Sequence, residues 1–145
     1  MNQYNNYYSH LRNTAQLIRD IQKAINGEYS AIACYEKLAQ LAPSPLEKEQ
    51  ILEIREDEQR HYEEFRKIYR LLVGNPALSE HTEECPDSYI DGVEFSFVDE
   101  QKTVDFYLDI ADQSEDPYIK KTFQRAAADE QNHAVWFLFF SQKNQ

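Results

Sequence analysis

Two copies of the motif Glu-x-x-His stand 72 residues apart in this chain. Glu58 and His61 form the first copy, and Glu130 and His133 form the second. Residues three positions apart share one face of a helix, so a carboxylate and an imidazole at this spacing can bind the same ion. Helix bundles that bind two metals use the motif twice, with one more glutamate from each of two other helices. The repeated motif therefore indicates a metal site, provided that the two further glutamates are present.

One further glutamate precedes each motif by 30 residues, namely Glu28 and Glu100. All six side chains fall on helical stripes whose other members are mostly Ile, Val, Phe and Leu. Four carboxylates in an apolar core are strongly unfavourable unless positive charge compensates them, and two divalent cations supply four positive charges. We therefore predict two ions, about 3.5–4 Å apart. The predicted ligands are Glu28, Glu58, His61, Glu100, Glu130 and His133.

The donor atoms also indicate which metal is bound. Carboxylate oxygens with one imidazole per ion suit iron or manganese better than metals that prefer sulfur ligands. We predict that the cofactor is two iron ions in a di-iron centre. Manganese, or a mixed pair of metals, is the alternative.

Two tyrosines and two aspartates lie close to these positions. Tyr35 and Tyr107 follow Glu28 and Glu100 by seven residues on the same stripe. They are either ordinary core residues or hydroxyl donors to a ligand carboxylate across the bundle. Four acidic residues shortly before the two motifs do not fall on the apolar stripe. They are predicted to lie on the solvated surface: Glu53, Glu56, Asp57 and Asp129.

The apolar residues recur at alternating spacings of three and four, which predicts helices throughout and an all-α four-helix bundle. Only 3 glycines and 5 prolines interrupt this pattern. Ser44-Pro45 and Asp116-Pro117 have the composition of helix starts, with a capping side chain before a proline in the first turn. The predicted helices cover residues 12–41, 45–72, 88–113 and 117–141.

The connections predict how these helices are arranged. The first and third connections are short, so the helices that they join form antiparallel hairpins. The segment 73–87 can extend about 45 Å, which exceeds the roughly 40 Å length of the second helix. We predict two antiparallel hairpins joined by a long crossover, within one domain over residues 12–145. Residues 1–11 are polar and rich in tyrosine and are predicted to form a flexible tail.

Composition excludes several classes of partner. The net charge of −11 repels nucleic acid and anionic lipid. The longest apolar run, 134–140, is too short to span a bilayer, and the first residues do not resemble a signal peptide. Within that run we predict that Trp136 and Phe139 help to form a homodimer contact.

The redox state of the two cysteines would indicate the cellular compartment of the protein. Cys34 and Cys85 lie far apart in sequence and form no Cys-x-x-Cys pair. We predict two reduced thiols in a cytoplasmic protein, and a disulfide is the alternative.

In the segments that contain the predicted metal ligands, the chain resembles the ferritin-like di-iron carboxylate superfamily and, within it, the rubrerythrin group. The segments that carry the resemblance are Gly27-Glu28, Glu58-Gln59-Arg60-His61, Glu100 and Glu130-Gln131-Asn132-His133. The resemblance implies that Glu58 and Glu130 bridge or flank the metals. It also implies that Glu28 and Glu100 are terminal or bridging ligands, and that His61 and His133 each bind one iron.

The same resemblance implies a function, the reduction of hydrogen peroxide as a defence against oxidative stress. The chain contains no rubredoxin-type four-cysteine motif, so the electron donor is expected to be a separate protein or reductant. Thr103 stands where the rubrerythrin group tends to carry a further glutamate, which in that group lets one iron exchange histidine for carboxylate.

Two alternatives remain open. The first is a ferroxidase or iron-binding protein that uses dioxygen. The second is a structural bundle that is held together by its metals and associated with spores; three tyrosines among Asn and Gln in the first eight residues favour this alternative.

Overall fold

Four helices account for most of the chain in the computed structural model, which describes residues 3–145, apart from the side chains of residues 11 and 12. They are α1 (Gln3–Leu41), α2 (Pro45–Val73), α3 (Tyr89–Gln113) and α4 (Pro117–Lys143). Helix α1 packs along α2, and α3 packs along α4. Fewer contacts join the two hairpins, between α1 and α3 and between α2 and α4. The predicted four-helix bundle is confirmed.

Side-chain caps fix the starts of three helices. The Ser44 hydroxyl accepts a hydrogen bond from the Glu47 backbone N–H, and Pro45 follows in the first turn. The carboxylate of Asp116 accepts from two backbone N–H groups at the start of α4. The Ser88 hydroxyl caps α3 by accepting a hydrogen bond from the Asp91 backbone N–H. Helix α2 ends where Gly74 takes a left-handed conformation, with φ of 86°, which glycine adopts without steric cost.

Helix α1 begins nine residues before the predicted start at residue 12. Its first described turns, residues 3–10, are exposed. The stretch 3–26 contains neither glycine nor proline. An established helix adds each further residue for little free energy, so α1 extends through these exposed residues without a core to pack against. Residues 1 and 2 of the predicted tail lie outside the described part of the chain.

The crossover between α2 and α3 runs along one face of α1. Its residues contact α1 at intervals of about one helical turn, so the segment passes from one end of the bundle to the other. Three hydrogen bonds and one ion pair mark this path: Gln22 with Leu78, Asn26 with Glu80, Ser30 with Thr82, and Lys37 with Asp87. The predicted long crossover is therefore present.

A disulfide joins Cys34 of α1 to Cys85 of the crossover, with Cα atoms 5.1 Å apart. The prediction of two reduced thiols is wrong, and the alternative of a disulfide is correct. The reason is the path of the crossover, which brings Cys85 opposite Cys34 although 51 residues separate them in sequence.

The apolar core has two parts, one towards each end of the bundle. The first includes Ile25, Phe65 and Phe123, and the second includes Leu38 and Phe137. On every helix the predicted metal ligands lie between residues of the first part and residues of the second part. A layer of buried polar side chains therefore separates the two parts.

Close packing between the hairpins depends on Gly92 of α3. A Cβ atom at this position would lie 2.2 Å from Cδ2 of Leu38 on α1. Since Leu38 is fully buried, any larger residue at position 92 would force the Leu38 side chain or the helices to shift.

The apolar residues near the end of α4 are only partly buried. Trp136 is half-buried and packs against the second part of the core, whereas Phe139 is 48% exposed. The homodimer contact through these residues stays a prediction. Among the described residues, no helix is long and apolar enough to cross a membrane.

Glu47 connects three helix ends, although only 1% of it is exposed. Tyr89 at the start of α3 donates a hydrogen bond of 2.9 Å to its carboxylate, and Asn144 after α4 donates one of 2.5 Å. Ser44 also donates to this carboxylate, and the ammonium group of Lys143 lies 3.7 Å away. Burial raises the pKa of Glu47, but these hydrogen bonds and the lysine charge outweigh burial and lower the pKa below its usual value.

We expect Glu47→Gln to lower the free energy of unfolding at pH 7 by about 1–3 kcal/mol, because a neutral amide cannot accept all of these hydrogen bonds. A lowered pKa stabilises the fold above the usual glutamate pKa of 4.5, and this contribution disappears as the pH falls through the folded-state value. Urea unfolding of both proteins from pH 7 to pH values well below 4.5 should therefore show the difference shrinking only in the acidic part of this range. Glu49→Gln, at an exposed position on the same helix, is the control. A difference that does not depend on pH would contradict this role.

Candidate metal centre

The six predicted ligands meet in the polar layer, and at most 2% of each residue is exposed. Their ligand atoms form two groups, and the atoms within each group lie within 4.8 Å of one another. One group contains Glu28, Glu58, His61 and Glu130, and the other contains Glu58, Glu100, Glu130 and His133. Glu58 and Glu130 belong to both groups. This geometry allows them to bridge two ions, while each of the other four residues serves one ion.

Each imidazole directs its Nδ1 atom at a carboxylate of the other half of the chain. His61 Nδ1 lies 3.1 Å from Glu130 and 3.4 Å from Glu28. His133 Nδ1 lies 3.1 Å from Glu58. The two Glu-x-x-His motifs therefore form one joint cluster, rather than two separate sites.

The opposite nitrogen of each imidazole contacts an aspartate. His61 Nε2 lies 2.8 Å from Asp129, and His133 Nε2 lies 2.8 Å from Asp57. An ionised carboxylate can only accept a hydrogen bond, so Nε2–H is the donor in both pairs. The Nδ1 atom of a neutral imidazole then carries the lone pair that a metal needs. The aspartates thus fix both the orientation and the tautomer of the two histidines.

The prediction that Asp57 and Asp129 lie on the solvated surface is wrong. Only 8% of Asp129 is exposed, and Asp57 is half-buried. Each aspartate directly precedes a ligand glutamate, which turns it about 100° away from the ligand face and towards the adjacent helix. The repeat itself carried the missing signal, since Asp-Glu-Gln occurs at both 57–59 and 129–131. Arg60 joins the two aspartates, with nitrogens 3.0 Å from Asp57 and 2.8 Å from Asp129.

The two tyrosines contact the lone glutamates across the hairpins. The Tyr35 hydroxyl of α1 donates to Glu100 of α3, and the Tyr107 hydroxyl of α3 donates to Glu28 of α1. Burial, and then the charge of the partner glutamate, raises the pKa of each tyrosine well above its usual value. Both hydroxyls therefore stay protonated and hold one oxygen of each carboxylate in place.

The cluster carries more negative than positive charge. Burial, and then the charge of Glu58, raises the pKa of Glu28 well above its usual value. The pKa of Glu130 is raised in the same way, by burial and then by the charge of Glu100. Burial lowers the pKa of His133, but Asp57 and the glutamates around the ring outweigh burial and raise it to about 12. Without cations the cluster therefore favours uptake of protons, because burial and the neighbouring carboxylates raise the pKa values of Glu28, Glu130 and His133.

Unpaired polar atoms show that two cations fit this cluster. Each of the six ligands has one buried atom for which the described residues supply no hydrogen-bond partner: Glu28 Oε2, Glu58 Oε1, His61 Nδ1, Glu100 Oε2, Glu130 Oε1 and His133 Nδ1. Buried polar atoms without a partner are rare in folded proteins. Here six of them face one another in two overlapping groups. Hard oxygen donors with one imidazole per ion suit iron or manganese.

A cavity of about 260 Å³ between α1 and α3 reaches three of the ligands, Glu28, Glu58 and Glu130. Glu83 of the crossover and Lys102 of α3 line its exposed side. Asp99 also lines it; burial and then the charge of Glu83 raise the pKa of Asp99 to about 7. Small molecules can therefore approach the cluster from solvent beside the crossover.

Comparison with known proteins agrees with this site. A family model described as rubrerythrin matches residues 20–90. A protein of Bacillus subtilis (strain 168), described as uncharacterized protein YhjR, is 54% identical over 124 residues, which are 86% of either chain. The chain belongs to the rubrerythrin family of ferritin-like di-iron carboxylate proteins. Its buried carboxylate and histidine cluster is a two-metal site of the kind that is typical of di-iron proteins.

Three solved structures share the fold at low sequence identity. A ferritin-like, diiron-carboxylate protein from Bacillus anthracis str. Ames is 20% identical, with a TM-score of 0.78 over 89% of this chain and 97% of that chain. The bacterioferritin of Desulfovibrio desulfuricans is 22% identical, with a TM-score of 0.78 over 90% and 81%. A hypothetical protein from Pyrococcus furiosus is 21% identical, with a TM-score of 0.77 over 87% and 88%.

We expect Asp129→Asn to weaken metal binding by roughly 10- to 100-fold, because an amide no longer fixes the His61 imidazole with its lone pair towards the cluster. Competition with a coloured chelator measures the dissociation constant for Mn(II) or, without oxygen, for Fe(II). Asp109→Asn, at an exposed position of α3, is the matched control. Equal affinities of the two variants would show that the aspartate does not orient a metal ligand.

Proposed function

We propose that this protein reduces hydrogen peroxide to water at a di-iron centre and takes the electrons from an external donor. One observation carries the proposal: Glu58 and Glu130 belong to both ligand groups, so they would hold the two ions as one pair. When bound, a pair of iron ions supplies the two electrons that the reduction of one peroxide molecule requires. Membership of the rubrerythrin family supports the same reaction.

The residues of the chain contribute binding, orientation and charge. The four buried carboxylates would balance the charge of the ions. The hydrogen bonds from Tyr35 and Tyr107 keep Glu100 and Glu28 in position while the charge at the centre changes. Asp57 and Asp129 hold the imidazoles from outside the cluster. Such preorganisation keeps the reorganisation that accompanies a change of charge small.

The size of the cavity supports a small substrate. Its volume of about 260 Å³ lies below the roughly 300–1,000 Å³ of pockets that enclose drug-sized ligands. Hydrogen peroxide and dioxygen both fit in such a space. Because the cavity ends at Glu28, Glu58 and Glu130, a molecule that enters it reaches the cluster directly.

A second candidate is a ferroxidase, which would oxidise Fe(II) with dioxygen. Two features favour it. The carboxylate of Glu83 lines the cavity and can attract cations, although Lys102 also lines it and the pKa of Asp99, raised to about 7 by burial and then by Glu83, leaves that group only partly ionised at neutral pH. Thr103 of α3 also stands where the rubrerythrin group tends to carry a further glutamate, and its hydroxyl bonds to the backbone carbonyl of Asp99 instead.

Stopped-flow mixing of the Fe(II)-loaded protein with each oxidant separates the two functions. We expect hydrogen peroxide to oxidise the bound iron faster than dioxygen does at equal concentration, as followed by the absorbance of the oxidised centre. Oxidation by dioxygen at an equal or higher rate would favour the ferroxidase. If neither oxidant acts while metal still raises the melting temperature, the metals have a structural role. Protein mixed without metal is the control.

A further inference from the structure

The Cys34–Cys85 disulfide lies next to Tyr35, which contacts the candidate metal centre. Cys34 precedes Tyr35 in α1, and the Tyr35 hydroxyl donates to the carboxylate of Glu100. One peptide bond, one side chain and one hydrogen bond therefore connect the sulfur-bearing residue to a predicted ligand. A small cleft next to the disulfide is lined by both cysteines and also by Tyr35 and Asp99. The disulfide is thus part of the surroundings of the site.

We propose that Cys34 and Cys85 are a two-electron redox pair that supplies electrons to the metal centre. The inference rests on the proposed peroxide reduction and names the class of reductant. In each cycle the two thiols lose two electrons and two protons and form the S–S bond. Hydrogen peroxide gains them, its O–O bond breaks, and two water molecules form. An external dithiol then reduces the disulfide by thiol–disulfide exchange and itself becomes a disulfide.

The positions of the two sulfurs suit this role. Cys34 is 6% exposed and lies within α1, which holds its backbone next to Tyr35. Cys85 belongs to the crossover, outside any helix, and is only half-buried. A chain segment without helical hydrogen bonds can move when the S–S bond opens. An external thiolate can therefore approach the Cys85 side of the bond from solvent.

The contacts of the crossover indicate that the disulfide is not needed to hold this segment. On the α2 side of Cys85, three hydrogen bonds join Gln22, Asn26 and Ser30 to the crossover. On the α3 side, Lys37 pairs with Asp87 at 2.9 Å. Opening the S–S bond therefore leaves the crossover attached to α1 on both sides. A cycle of reduction and oxidation is compatible with an intact fold.

The test compares two forms of the same wild-type chain. The metal-free protein is either kept as the disulfide or reduced with dithiothreitol and desalted, and each form is then loaded with Fe(II) without oxygen. Hydrogen peroxide is titrated into both forms, and free thiols are counted with a thiol reagent after each addition. We expect the dithiol form to consume twice as much peroxide as the disulfide form and to lose both thiols. Cys34→Ser/Cys85→Ser should consume the same amount as the disulfide form.

Each other outcome has a separate meaning. Equal consumption by the two forms, with the thiols intact, would overturn the redox role and leave peroxide reduction standing. Consumption by neither form would overturn the proposed function itself. Thiol loss that is equally fast in the metal-free dithiol form would show direct oxidation by peroxide and contradict transfer to the centre. Circular dichroism of the dithiol form and of the double variant verifies that the helices persist.

Discussion

The structure depends on the electrostatic cost of a layer of buried carboxylates. Glu28, Glu58, Glu100 and Glu130 lie between two apolar parts of one core, where an ionised carboxylate without compensation is strongly unfavourable. The two histidines and the two tyrosines offset only part of this charge. The remaining unpaired atoms point at one another. A bundle with this interior is therefore built to hold cations, and its stability and chemistry are coupled to them.

The support for the centre comes from both hairpins at once. Tyr35 and Tyr107 each bind a glutamate of the other hairpin, and each ligand histidine contacts an aspartate of the other hairpin. Neither half of the duplicated sequence can therefore complete a metal site alone. The close approach of α3 to α1 at Gly92 belongs to the same arrangement, because it brings the two halves near enough for these contacts. The candidate centre is therefore complete only when the two hairpins are docked.

The symmetry of the repeat breaks at the features that distinguish this chain. Arg60 joins both aspartates, whereas its counterpart in the second half is Asn132. Cys34 has Phe106 as its counterpart, and the disulfide to the crossover is found in the first half alone. The half of the bundle next to the crossover therefore carries both the cavity and the disulfide. Access to the centre and the proposed supply of electrons lie on the same side.

The sequence was sufficient to predict which six side chains meet in the polar layer, because a charged residue on an apolar stripe is unusual and each one recurs after 72 residues. The starts of α2 and α4 followed from the capping residues Ser44 and Asp116. The contacts of Asp57 and Asp129 with the histidines could not be predicted from the sequence, because a position off the apolar stripe usually faces solvent. Only the packing of α2 on α4 buries these two aspartates. The disulfide did not follow either, because its formation depends on the path of the crossover along α1.

The most direct measurement is anomalous diffraction from crystals grown with excess iron. We predict two iron peaks in the polar layer, each within bonding distance of one histidine Nδ1 atom, with Glu58 and Glu130 contacting both. A map in which the six side chains turn away from one another, with no ion between them, would contradict the account at its foundation.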